Sequence, residues 1–381
     1  MIARKTDGGA CTVCDPPQGL RASDARDARR AAEKRASARR SHGAAAMPPD
    51  DLTSRASPAS EPSPDRALID ATRPFARESR ARSWFHFVTT FGLLAIAAQA
   101  ARVTPWWPLR LAASVVAGLF VVRAFILFHD SLHGAFLRGS RVAGAVFALF
   151  GVIVMAPAKV WRETHNYHHA HTAKIVGSNV GSYAMVTTAM WKRMSPRERF
   201  LYRAIRHPLT ILFAYLTIFL FGMGVGPFLR APRKHAGVAV LLHVGAWVAA
   251  AWLGVFGAFF FSFALPLCIA CAVGAYLFYA QHNFPDMHVQ PRESWSYARA
   301  ALESSSFMEM GPAMRFFTGN IGYHHVHHLN PQIPFYRLPE AMAAVPAFQT
   351  PGRTSLHPRD VVACFRLKLW DPGLGHMVGY P

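Results

Sequence analysis

Between residues 236 and 280 the chain carries no Lys, Arg, Asp or Glu. A stretch of that length and apolarity cannot be wrapped by a soluble fold of this size, and it constrains the whole chain to a helical, membrane-embedded design. Gly254 to Gly257 lie near its midpoint and suit a tight turn, so the stretch reads as a helical hairpin. A second hairpin is expected earlier. Residues 84–101 and 109–128 are apolar runs of about the ~20 residues a hydrocarbon core demands, joined by Thr104-Pro-Trp-Trp-Pro108 with its interfacial aromatics. The composition agrees: 16% of residues are charged and 52% hydrophobic, against about 25% charged in an ordinary soluble domain.

Two further apolar segments, 142–157 and 209–229, are flanked on both sides by basic residues. Arg138 and Arg141 precede the first, and Lys159 and Arg162 follow it. Lys192 through Arg206 precede the second, and Arg230, Arg233 and Lys234 follow it. Equal positive flanks place both ends on one side, so these segments are expected to dip into the membrane and return, or to lie in its interface. The count is therefore about four transmembrane helices in two hairpins, with both termini cytoplasmic.

Of the formal net charge of +20, residues 1–82 hold 16 Lys+Arg against 11 Asp+Glu, and the remainder holds 25 against 10. The basic bias thus lies mainly in the hydrophobic body. This argues for loops facing anionic lipid and against a nucleic-acid-binding tail. Residues 1–80, rich in Ala, Arg, Ser, Pro and Asp, read as a disordered head preceding a membrane domain over 81–381. No apolar segment of signal-peptide type follows the first basic residues, and Met47 is an alternative start. The five cysteines do not form a disulfide framework, and Cys11 and Cys14, a lone CxxC pair, lack further nearby ligands for a metal.

Histidine clusters stand where apolar segments end. His129 and His133 continue the 109–128 helix, one turn apart on one face. His165, His168 and His169 form a second cluster, followed by His171. His324, His325, His327 and His328 form a third, and His282 closes the last apolar run. In the four-span topology all of them face one side. Imidazole suits Zn, Cu, Fe and Ni, and a set this large points to a binuclear site. Neutral imidazoles also line a membrane-edge cavity without the cost of unpaired charge.

His129-Asp-Ser-Leu-His133, His165-Asn-Tyr-His168-His169 and Gly322-Tyr-His-His-Val-His-His328 resemble the three histidine boxes of the membrane fatty acid desaturase family. Phe317-Thr-Gly-Asn-Ile-Gly-Tyr-His-His-Val-His-His-Leu-Asn-Pro-Gln-Ile-Pro is most similar to the acyl-lipid Δ12-type branch. The similarity covers roughly residues 84–350. It implies an all-α integral membrane protein whose cytoplasmic helical cap carries two non-haem irons. The implied ligands are His129, His133, His165, His168, His169, His324, His327 and His328, with His282 as a ninth. His325 and His171 are then supporting or structural, His288 less connected still, and His86, His207, His235, His243, His357 and His376 isolated or packed.

Asp130 and Glu163 are the acids expected to orient imidazoles through their second ring nitrogen; for Glu163 an ion pair with Arg162 or Lys159 competes. Arg123 is expected to snorkel to the interface, with a lipid headgroup as the other option.

The implied reaction consumes O2, removes two vicinal hydrogens from a fatty acyl chain and leaves a cis double bond, with water released. Positional choice would come from a narrow apolar channel between the spans at 109–128 and 236–280. No flavin, nicotinamide or b5-type motif is visible. Electrons are thus expected from a separate donor such as a ferredoxin, docking on a basic cytoplasmic face, with membrane lipids as the other partner and the bacterial inner membrane as the location. Hydroxylation of a lipid, carotenoid or alkane is the rival outcome at the same site. A histidine-rich metal transporter is disfavoured because the clusters sit at helix ends on one side. A zinc hydrolase is disfavoured because eight histidines exceed a three-ligand site.

Overall fold

The structure, a computed structural model, describes residues 63–175, 182–230 and 234–381. The expectations for Cys11, Cys14, Met47 and residues 1–62 lie outside the described residues. The described chain is helical, with two small two-stranded sheets.

Helix α1 (Pro64–Thr72) and a 3-10 turn (Arg73–Ala76) come first. Residues 63–80 were expected to belong to the disordered head, but they are folded. Leu68, Ile69 and Phe75 pack against the core, Asp65 Oδ2 accepts the Ala298 amide, and Arg337 Nη1 donates to Pro74 O. The Arg-rich composition concealed a short apolar face that is useful only against a partner.

Helices α2 (Arg80–Val103) and α3 (Trp107–Leu132) form the first hairpin, with Trp106 and Trp107 exposed at its turn. Both are long and apolar enough to cross a membrane, as is α11 below. Helices α4 (Arg141–Ile153) and α5 (Ala158–Ala170) meet at a bend of 84°, the geometry of a broken span or a re-entrant loop. Met155, with φ 55°, takes the left-handed conformation at that bend. The short polar helices α6 (Thr188–Arg193) and α7 (Pro196–Ile205) follow; a full capping box between Ser195 and Glu198 starts α7.

Next come α8 (Pro208–Leu212), a π-helical run (Tyr215–Val225), α9 (Gly226–Arg230) and α10 (Lys234–Trp252). The chain reverses at Gly254, whose φ of 68° a side chain would strain, and continues as α11 (Phe256–Ala280). The expected second hairpin is present, although the described apolar part of α10, Gly237–Trp252, is shorter than a full crossing.

Helices α3 and α11 lie against each other, both pointing towards the cap. Ser114 Oγ donates to Phe261 O at 2.6 Å, and a Cβ at Gly118 would stand 2.9 Å from Pro266 O. Large apolar side chains on the outer faces are open, among them Phe85, Ile96, Leu241 and Trp252. These are lipid-facing positions. The inner faces meet in a phenylalanine cluster of Phe87, Phe91, Phe128, Phe147 and Phe150.

The cap is built from α12 (Tyr297–Glu303), β1 (Phe307–Glu309), α13 (Pro312–Phe317), α14 (His324–Leu329), α15 (Leu338–Ala344), β2 (Arg353–Ser355), α16 (Pro358–Arg366), β3 (Leu369–Asp371) and β4 (His376–Val378). Strands β1 and β2 pair in parallel, Met308 opposite Thr354, and β3 and β4 pair antiparallel.

Candidate metal centre

Four structural pieces deliver histidines to one place. The end of α3 brings His129 and His133, α5 brings His165, His168 and His169, the end of α11 brings His282, and α14 brings His324, His327 and His328. Helix α14 is a buried six-residue turn, a costly place for polar side chains, and neighbours on every side secure its backbone. Met308 N donates to Gly322 O at 2.8 Å, Gln281 Nε2 to Ile321 O at 2.8 Å and Tyr297 Oη to His328 O at 2.6 Å.

The nine imidazoles fall into two groups. His129, His133, His165, His169 and His327 place one nitrogen each within 4.8 Å of all the others, and so do His168, His282 and His328. His324 joins the second group, its Nε2 2.9 Å from that of His282. Nε2 faces Nε2 in eight of the nine: His129 to His165 at 2.7 Å, His169 to His165 at 3.1 Å, His327 to His169 at 3.2 Å, and His282 to both His168 and His328 at 3.1 Å, while His133 Nε2 has no hydrogen-bond partner among the described residues.

Hydrogen bonds between neutral imidazoles do not explain this arrangement. The Nε2 of His282 has three Nε2 neighbours, and a single proton cannot satisfy them. Its proton is placed elsewhere, because Nδ1–H donates to Ser304 O at 2.9 Å and leaves Nε2 as a lone pair. The same holds for His129, whose Nδ1 lies 3.1 Å from Asp130 Oδ1. It also holds for His328: the Thr172 hydroxyl donates to His168 O at 3.0 Å and accepts the His328 Nδ1–H at 3.1 Å. Three tautomers are thereby fixed with lone pairs turned inward. Converging lone pairs from buried neutral imidazoles fit cations.

Burial and the surrounding imidazoles hold His324, His327 and His328 well below the usual histidine pKa, and burial takes His282 down to about 4. All four are therefore in the neutral form that ligates metal.

Of the two acids expected to orient imidazoles, Asp130 is in place, and its second oxygen accepts the Phe335 amide at 2.8 Å. Glu163 is exposed on α5, whereas His165, His168 and His169 on the same helix are buried. Thr172 and the Ser304 carbonyl were missed. Thr172 stands one helical turn after His168, a spacing that could have indicated it; a main-chain carbonyl leaves no sequence signal.

Outside the two groups, His171 stacks on Tyr167, His288 lies 3.3 Å from Glu303, and His207 and His357 accept backbone amides at helix starts. His376 Nδ1 faces Leu374 O, and the side chain of His235 is not among those described. His243 is packed between Tyr215 Oη and Ile153 O. His325 is fully buried beside Phe307 and Phe348 and belongs to neither group.

Arg123 does not snorkel. It is 3% exposed and ties helices together: Nε donates to Thr90 Oγ1 at 3.1 Å, Nη1 to Phe316 O and Nη2 to His86 Nδ1 at 3.2 Å, with its guanidinium 4.0 Å above the Phe316 ring. Acceptors closer than the interface hold it inside, and one of them is His86, itself packed against Phe335 and Tyr336.

Beside the second group, a cavity lined by Ala173, Tyr183, Met185, Phe278 and Met287 reaches His168 and His282. Its walls are largely apolar, and Arg206 and Asn283 form its polar end.

The fatty acid desaturase family model matches residues 105–359, which contain all nine histidines. A "Fatty acid desaturase" of Bacillus subtilis is 36% identical over 258 residues, covering 66% of this chain and 72% of that protein. A Synechocystis "sn-1 oleoyl-lipid 12-desaturase" is 24% identical over 303 residues, covering 77% and 85%. An Arabidopsis thaliana protein named "sn-2 acyl-lipid omega-3 desaturase (ferredoxin), chloroplastic" is 26% identical over 274 residues, covering 66% and 58%. The 12-desaturase among them agrees with the likeness visible in the third histidine box. With the boxes assembled into one centre and the match spanning that centre, the chain belongs to the fatty acid desaturase family.

Proposed function

We propose that this protein uses O2 to introduce a cis double bond into the fatty acyl chain of a membrane lipid, with two irons held by the nine grouped histidines. The observation that carries this reading is the convergence of imidazole nitrogens, from seven buried histidines and the half-buried His133 and His282, into a set of five and a set of four. Nine imidazoles exceed what a tetrahedral zinc site uses. Bound iron would supply the oxidising power towards an unactivated methylene that no side chain possesses.

The residues of the chain supply placement. Asp130, Thr172 and the Ser304 carbonyl hold imidazoles in one tautomer and one orientation. The side chains of Met185, Phe278 and Met287 give the small cavity beside His168 and His282 a largely apolar lining. A one-electron donor of ferredoxin type would deliver reducing equivalents from outside.

The metal end is assigned to the cytoplasmic side of a bacterial inner membrane, with both termini there. In support, Arg80, Arg82, Arg138, Arg141, Lys159 and Arg162 border the metal end, while Arg102 and Arg110 are the cations at the opposite end of the α2–α3 hairpin.

The test is expression in a host lacking polyunsaturated lipids, with fatty acid profiling and metal analysis of the purified protein. A new dienoic acid and about two irons per chain are expected. A hydroxylated acid in its place would assign the rival chemistry, and metal flux without O2 consumption would assign a transporter.

A further inference from the structure

Residues 182–212 contain six cations, Lys192, Arg193, Arg197, Arg199, Arg203 and Arg206, against one acid, Glu198. Helices α6 and α7 carry most of this charge. Glu198 is committed to its own helix, accepting the Ser195 amide at 2.7 Å and the Ser195 hydroxyl at 2.8 Å. Two of the cations are committed as well. Arg199 donates to Trp191 O and Lys192 O, and buried Arg206 donates to Ala184 O and Asn283 Oδ1. Lys192, Arg193, Arg197 and Arg203 remain exposed, and among the described residues no carboxylate is paired with them.

The apolar side chains beside these cations show what they face. Phe200 is 68% exposed, and Leu201 and Ile205 are exposed on the same ten-residue helix. Leu209, Leu212 and Phe213, where the chain enters its apolar run, are exposed as well. A helix whose exposed aromatic and aliphatic residues merge with a lipid-facing surface lies in the bilayer interface. Its exposed cations then stand at the depth of the phosphates. A soluble acidic protein would leave Phe200, Leu201 and Ile205 uncovered.

The face is also rigid. Trp191 is buried, 4.9 Å from the Tyr380 ring, and the Arg203 guanidinium lies 5.1 Å over Trp191 and 5.2 Å over Tyr380. Tyr202 donates to Lys368 O at 2.6 Å and anchors α7 to the C-terminal strands.

We propose that α6 and α7 form a binding face for the phosphate headgroups of anionic phospholipids in the bilayer surface, with Arg197 and Arg203 as its principal contacts and Lys192 and Arg193 beside them. Arg206, which follows α7 directly, lines the cavity that reaches His168 and His282.

The test is a native mass spectrometry titration of the purified full-length protein with phosphatidylglycerol and, separately, with phosphatidylcholine. Wild type should bind phosphatidylglycerol more tightly, and the preference should shrink as salt rises. Arg197→Gln with Arg203→Gln should lower it about fivefold per cation removed. Lys192→Gln with Arg193→Gln provides an independent second variant, expected to act in the same direction. Arg359→Gln with Arg366→Gln, on the exposed face of α16, should leave it unchanged. The proposal is overturned if neither pair in α6–α7 alters the preference, or if the α16 control alters it equally. It is also overturned if the α7 variant binds both lipids as wild type does and only raises the donor concentration needed for half-maximal rate, which would assign the face to an acidic protein. Binding is read without turnover, so failure here is distinguishable from failure of the desaturase reading.

Discussion

Single side chains decide whether the centre can hold metal. His327 belongs to the set of five and His168 to the set of four. Replacing either with Ala is expected to abolish acyl desaturation and to lower the iron per chain, while the protein remains inserted; metal analysis beside lipid profiling checks both. Asp130→Asn keeps the shape but replaces the carboxyl oxygen that faces His129 Nδ1, and a loss of about 10–100-fold in metal affinity is expected in a competition titration. A third expectation concerns Lys368, 8% exposed and donating to Arg206 O. Burial, and then the Arg206 charge, lower its ammonium from 10.5 to about 8. The unfolded chain therefore binds the extra proton between those values, and this residue's contribution to stability rises with pH across about 8 to 10.5. Lys368→Met should flatten that part of the stability profile, measured by thermal unfolding in detergent. The three histidine clusters were legible from spacing, because a box is a local pattern on a helix or tight turn, whereas His282 stands alone in the sequence and entered only through the family resemblance. Arg123 was not legible, because its acceptors come from Thr90 and Phe316, far away in the chain.

At the scale of elements, the contact of α3 with α11 sets the distance between His129 and His282. Gly118 permits it, since a Cβ there would meet Pro266 O at 2.9 Å and Ile269 Cβ at 3.0 Å. Gly118→Leu should force the helices apart at a cost of about 1–3 kcal/mol, seen as a lower unfolding midpoint together with a loss of bound metal. The long helices were readable as apolar runs, and so was the Gly254 reversal. The folding of residues 63–80 was not, because the apolar face of α1 is short and gains its order only from α12, Asn330 and Arg337, far away in the chain. The 84° bend between α4 and α5 follows from a segment too short to cross with basic residues at both ends.

For the whole molecule, the described N-terminal part acts as a strap across the cap. Thr72 accepts a hydrogen bond from Asn330 at 2.8 Å, two residues beyond the third histidine box, and the Ser79 amide donates to Tyr336 Oη at 2.9 Å. A chain beginning at residue 63 keeps these contacts, whereas one beginning at residue 80 loses them. The second should unfold at a lower temperature and retain less iron, compared side by side in the same detergent. Removing iron with a chelator should also lower the unfolding temperature of the intact protein, because cations that bind only the folded centre stabilise it by mass action. A reporter at Gly226 is expected to read as cytoplasmic or inaccessible.

The division of histidines between the two groups also sets a timetable. Each group draws on α14, so a ribosome that has made everything up to residue 323 has completed neither. The membrane hairpins can insert as they emerge, but the third box packs beside β1, whose Met308 amide donates to Gly322 O and which pairs with β2, a strand made later still. Under the proposed function, loading of the metal is therefore a late step of biogenesis, and a chain stalled or cleaved before residue 324 would be an inserted membrane protein with neither histidine group complete.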